Sequence, residues 1–126
     1  MEWKSPIQEP VIVLDYIGNI ANGAFIETQD VEELNPLLRG IPCVGMMQIY
    51  GSVFSTQNVT VDISQGVADT AGTLIYDVPP VNFAVLAGTG VPRIVPIVGK
   101  FVKVRVSNAS GFVANVRTFF VVRAYA

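Results

Sequence analysis

Near the end of this chain, residues 98–108 read VGKFVKVRVSN and residues 113–125 read VANVRTFFVVRAY. In the first run Val102, Val104 and Val106 fall on one side, while Phe101, Lys103, Arg105 and Ser107 fall on the other. Only an extended strand, whose side chains alternate between two faces, sorts residues in this way. In the second run Val116, Thr118, Phe120 and Val122 oppose Asn115, Arg117, Phe119, Val121 and Arg123. The link Asn108-Ala-Ser-Gly111 supplies turn chemistry between the two runs. Two long strands with cations on one face predict a framework or contact surface, not a catalytic centre.

The rest of the chain is cut into similar short pieces. Residues 11–16 read as a strand, Gly18-Asn19 as a turn, and residues 24–28 as a short strand. Strands are expected again at residues 44–52, 56–64, 73–78, 82–86 and 93–98. In the second of these, Val59, Val61 and Ile63 oppose Asn58, Thr60, Asp62 and Ser64. Pro79-Pro80 and Gly88-Thr-Gly-Val-Pro92 serve as breakers. One helical turn is expected at residues 30–38, where Asp30 can cap and Glu33 sits three residues on, before Pro36 stops it.

About eight to ten strands, never alternating with long helices, predict an all-β fold. The expectation is an antiparallel Greek-key or jelly-roll-like β-sandwich, although periodicity alone does not reveal strand order. The sandwich is one domain spanning residues 11–126, and residues 1–10, with Pro6 and Pro10, form an extended N-terminal arm. Trp3 and Ile7 on that arm are candidate anchors, on the parent domain or on a neighbour.

Charged residues make up 14% of the chain, against roughly 25% in typical soluble domains. So few charges favour burial of part of the exterior against copies of itself or a larger assembly. The alternative is a compact monomer surfaced with Thr, Ser, Asn and Gln. Residues 1–92 hold all ten acids with only Lys4 and Arg39, whereas Arg93, Lys100, Lys103, Arg105, Arg117 and Arg123 follow with no acid among them. Cross-strand pairing of basic with acidic strands explains this division, as does a basic face on one protomer meeting an acidic face on the next. The net charge is −2 and the cations lack dense clusters with interleaved aromatics, so no nucleic-acid partner is expected.

Chemistry is sparse. The chain has no histidine, which removes the commonest general base and metal ligand together. The single cysteine, Cys43, rules out an internal disulfide framework and Cys/His zinc sites, and its apolar flank suits a buried thiol. Serines have no histidine to activate them. Asp62, Asp69 and Asp77 are the only central carboxylates, and loop and surface roles account for each; their spacing is not that of a calcium loop.

Gly88-Thr-Gly90 lacks both the full glycine pattern and the following helix of a phosphate cradle. Asn58-Val-Thr60 and Asn108-Ala-Ser110 are formal glycosylation sequons expected to be coincidental. The first ten residues lack the apolar segment of a secretory signal, and no apolar run approaches the ~20 residues of a membrane helix. The chain is therefore expected to have no catalytic residues, no metal, no cofactor and no membrane partner. Sugar binding needs only an exposed aromatic platform, for which Trp3, Tyr50, Tyr76, Phe112 and Tyr125 are candidates.

Residues 51–65 (GSVFSTQNVTVDISQ), 85–90 (VLAGTG) and 99–108 (GKFVKVRVSN) resemble small bacteriophage virion β-domains, a class including capsid decoration (cement) proteins and related tail or fibre modules. The likeness covers about residues 50–125. Phe101 stands where tyrosine is frequent, and Ser64-Gln-Gly66 replaces an acidic turn. The resemblance implies a non-enzymatic structural protein, assembled in the host cytoplasm and located in the virion. It also implies a homotrimer on the major capsid protein or another virion protein, at local symmetry axes of the head. Trp3 and Ile7 of the arm, with the cations Lys103, Arg105, Arg117 and Arg123, are the interface residues expected on that basis. The alternative function is a carbohydrate- or receptor-binding module of a tail fibre or cell surface.

Overall fold

Val102, Val104 and Val106 are fully buried, as are Val116, Phe120 and Val122, so the alternation in both C-terminal runs is the alternation of core against exterior. The computed structural model describes residues 11–28, 41–42, 48–68, 74–98 and 101–123. Nine strands lie among them: β1 (Val11–Ile20), β2 (Phe25–Glu27), β3 (Ile41–Pro42), β4 (Gln48–Ser55), β5 (Val59–Ala68), β6 (Leu74–Val85), β7 (Thr89–Pro96), β8 (Phe101–Ser107) and β9 (Ala114–Arg123). The arm at residues 1–10, the helical turn expected at residues 30–38, and Cys43 lie outside the described residues.

The strands form two antiparallel sheets, ordered β1-β9-β4-β7 and β2-β8-β5-β6, with β3 paired to β8. Chain neighbours mostly lie in opposite sheets, and among the described strands only β5 and β6 pair with their immediate successor or predecessor. That order is the double Greek key of a jelly roll, so the fold is a β-sandwich of the expected kind. The inner faces close on a core that includes Ile49, Val53, Val61, Ile63, Val85 and Phe120.

Two expected breaks are absent. Gly18 and Asn19 continue β1 up to Ile20, and the chain turns instead at residues 21–24, where Gly23 takes φ +82°. Pro79 and Pro80 do not divide residues 73–86: β6 runs through them. An edge strand tolerates proline where the N–H would face away from the sheet, and β6 is the edge of its sheet. The register also bulges at this point. Ile63 pairs with Val81 and Gln65 with Val78, so Pro79 and Pro80 together oppose Ser64; Tyr76 and Asp77 likewise oppose Gly66. Pro92 and Pro96 occupy β7, an edge of the other sheet, so the Gly88–Pro92 segment begins a strand beyond a turn at Gly88. Such prolines also discourage further strand pairing at those edges. Asn108-Ala-Ser-Gly111 carries the chain from one sheet to the other, so it is a corner and not a hairpin.

Asn108 holds that corner. It is buried, and its Nδ2 donates to the carbonyls of Ile20 (2.9 Å) and Phe112 (2.7 Å), while its Oδ1 accepts from Ser110 N and Oγ. Its backbone bonds Gly23 and Ala24, which locks the β1–β2 corner to the β8–β9 corner. At the other end Gln65 joins the sheets, donating from Nε2 to Pro96 O at 3.0 Å and accepting from Val98 N at 2.7 Å. Thr28 extends the β2–β8 ladder, its N donating to Val104 O and its Oγ1 accepting from Val104 N.

Two core positions give opposite predictions. A Cβ on Gly51 would lie 2.0 Å from the Phe119 carbonyl oxygen and 2.7 Å from Phe120 Cα, so only glycine lets β4 lie against β9 here. Gly51→Ala is expected to destabilise by about 1–3 kcal/mol or more in urea denaturation, whereas Gly90→Ala, whose Cβ meets nothing within 4 Å, leaves stability nearly unchanged. Thr118 Oγ1 is buried without a hydrogen-bond partner. Thr118→Val removes that unpaired hydroxyl and is expected to raise stability by about 1 kcal/mol in the same assay.

Candidate interaction face

The two inner faces are spent on the core, so any partner must meet an outer face, an edge or an end of the sandwich. The outer faces differ sharply in chemistry.

On the β2-β8-β5-β6 sheet, register aligns Glu27, Arg105, Asp62 and Asn82 in one row across four strands. Direct cross-strand neighbours sit close enough to pair, and these do. Arg105 Nε and Nη2 donate to Glu27 Oε2 at 2.9 and 2.8 Å, and Lys103 Nζ reaches the same oxygen at 3.0 Å. Asn82 donates to Asp62 Oδ1. The Arg105 guanidinium also stacks 4.1 Å above the Phe25 ring, covering an apolar side chain that would otherwise stand in water. Partial burial opposes ionisation of Glu27, but hydrogen bonds from Arg105 and Lys103, together with their charges, outweigh it and hold the carboxyl below its ordinary range. This face is polar and internally satisfied.

The outer face of the β1-β9-β4-β7 sheet is apolar. Its rows, read across the strands in that order, are Ile12-Val121-Tyr50-Ile94, Asp15-Phe119-Ser52-Pro92 and Ile17-Arg117-Phe54-Gly90. Ile17 is 75% exposed, Ile94 69% and Phe119 45%, with Ile12 and Phe54 also open to solvent. Val121 is buried and Tyr50 half-buried. Asp15 and Arg117 are the only charged residues in the three rows.

One more cation is used internally. Arg93 faces Gly51 on the inner side of β7, and its guanidinium lies 4.5 Å from the Phe83 ring of β6, across the open side between the two sheets.

A third surface is the loop end. Here Gly111 N donates to Asn22 Oδ1, Asn115 Nδ2 to Asn19 Oδ1, and Ala87 N to Asn58 Oδ1. Phe112 projects from these loops, 66% exposed. The Asn108 amide is buried and fully engaged, so the sequon at Asn108 offers no free nitrogen to a glycan; Asn58 is exposed just ahead of β5.

The expected interface cations are divided between opposite faces. Lys103 and Arg105 lie on the polar face, held by Glu27, while Arg117 lies on the opposite face between Ile17 and Phe54. The backbone of Arg123 pairs with Gln48, but its side chain is outside the described residues, as are Trp3 and Ile7. Of the carboxylates considered for hydrolysis, Asp62 is bonded to Asn82, Asp77 sits in the second β6 bulge with its side chain undescribed, and Asp69 is outside the described residues. Cross-strand pairing of acids and bases is found at Glu27. The alternation in β9 puts Phe119 on the side opposite Phe120, but that Ile12, Ile17, Phe54 and Ile94 share Phe119's side follows only from the strand order, so the apolar face is not legible in the sequence. No protein-family model matches the chain, and no curated protein matches it either.

The Glu27 cluster fixes a pH dependence. Because the folded-state value is lowered, the cluster stabilises the fold above the ordinary carboxylate value near 4.5, and this is lost as pH falls through the lowered folded value. Glu27→Gln is therefore expected to be less stable than the parent chain at pH 7, with the difference closing on acidification below pH 4.5, as read by urea denaturation at several pH values.

Proposed function

We propose that this chain is a structural, non-enzymatic module of a bacteriophage particle, in the manner of a capsid decoration protein, which works by burying part of its exterior in an assembly. The observation that carries the reading is the contrast between the two outer faces. One satisfies its charges internally, and the other presents Ile12, Ile17, Phe54, Ile94 and Phe119 to solvent with two charges among them. A monomer gains nothing from a flat apolar sheet face in water, whereas an assembling subunit recovers its burial energy on contact. The virion setting comes from the resemblance at residues 51–65, 85–90 and 99–108. The jelly-roll order of the strands suits such a role without demanding it.

A second reading, a carbohydrate- or receptor-binding module, draws on Phe112, an exposed aromatic at the loop end that follows Gly111, whose N–H donates to Asn22. Aromatic faces with neighbouring amides suit sugar rings.

Light scattering coupled to size exclusion, across a concentration series, tests the first reading. The expected result is a mass that is a multiple of 13.6 kDa and rises with concentration where it is not already at its limit. A mass of 13.6 kDa at every concentration, together with retention on a glycan surface that Phe112→Ala abolishes, would replace it with the second.

A further inference from the structure

We propose that the outer face of the β1-β9-β4-β7 sheet is covered by a second copy of this chain, the two copies meeting about a two-fold axis with Asp15 of each paired to Arg117 of the other. This rests on the reading of the chain as a self-assembling module and names the surface that assembles.

Charge on the face selects the occupant. Asp15 and Arg117 stand on adjacent strands, Asp15 opposite Phe119 and Arg117 opposite Ile17. Among the described residues neither has an ion-pair partner in its own copy, whereas Glu27, Lys103 and Arg105 are all paired there. Covering an apolar face removes water from these two charges, and a buried charge without a partner is strongly destabilising. A partner with an apolar surface leaves both unpaired, and a partner of single charge sign leaves one unpaired. A second copy supplies both signs at the required positions, because in a two-fold interface residue i meets residue j and j meets i. Asp15 and Arg117, the charged residues of the three rows, thus become two reciprocal pairs, with Ile17 and Phe119 packed between them and Phe54 alongside.

The strand edges agree with stacking by faces. On the same sheet Pro92 and Pro96 of β7 interrupt one edge, so growth by strand addition is discouraged there. Sheet faces, by contrast, pack about 10 Å apart with side chains interleaved. The trimer expected from the resemblance needs head-to-tail contacts between two different surfaces, whereas this face carries its own complement.

Two charge reversals test the arrangement. Asp15→Arg places arginine against arginine at both pairs, and Arg117→Asp places carboxylate against carboxylate, so each variant alone is expected to dimerise at least about tenfold more weakly than the parent chain. Mixing the two variants restores opposite charges at both pairs, and the mixture is expected to recover the dimer mass by light scattering and sedimentation. Thermal melts at low concentration check that each variant is folded. A purely internal role for either residue cannot produce recovery on mixing. A mixture that stays monomeric overturns the proposal, as does a parent oligomer that neither reversal weakens; the latter leaves self-assembly standing through another surface. A parent chain that is monomeric at all concentrations overturns this proposal and the reading beneath it together.

Discussion

β9, the last of the described strands in chain order, lies in the middle of its sheet, between β1 and β4, with Phe120 pressed over Gly51. Its placement joins the two ends of the described chain, since Val11 pairs with Val122 and Ile20 with Ala114. Val116, Phe120 and Val122 fill the inner face, and the same alternation necessarily sends Asn115, Arg117 and Phe119 outward. The strand that completes the core therefore also sets the central stripe of the apolar outer face. A substitution in β9 that shifted its register by one residue would exchange those two sets, placing Arg117 in the core and Phe120 in water.

The economy of charge follows from the same alternation. A chain with only 14% charged residues can cover little of its exterior with them. It concentrates Glu27, Lys103 and Arg105, with Asp62 in the same row, on the β2-β8-β5-β6 sheet, where they tie the three-residue strand β2 to β8. Arg105 does double duty there by shielding Phe25. On the opposite sheet Arg93 turns to the inner side of β7, and Asp15 and Arg117 are the only charged residues in the three outer rows, so that outer face is largely apolar. That division leaves the described strands with two unlike outer faces, one polar and internally paired, the other apolar.

Individual strands were legible in the sequence because period two is a local property. β8 and β9 could be sorted residue by residue, and Val59, Val61 and Ile63 of β5 are all core. What local pattern could not supply was context. Pro79-Pro80 reads as a break unless β6 is known to be an edge, and edge status depends on a strand order in which most partners are distant in the chain. Lys103 and Arg105 look free for an interface until Glu27, in a strand of three residues more than seventy positions earlier, is seen beside them. Asn108 could be read only as turn chemistry, because the groups it bonds, Ile20 and Ala24 among them, come from the opposite end of the chain. The apolar face was hidden for the same reason: its residues come from four strands that become neighbours only on folding.

Hydroxyl-radical footprinting of the protein at low and high concentration, read residue by residue by mass spectrometry, bears most directly on the two-sided account. Phe25, on the polar face, and Phe54 and Phe119, on the apolar one, are all at least partly exposed and reactive. The account predicts that Ile17, Phe54, Ile94 and Phe119 become protected as concentration rises while Phe25 keeps its reactivity. Protection of Phe25 with Phe54 and Phe119 unchanged would contradict it and place the contact on the opposite sheet.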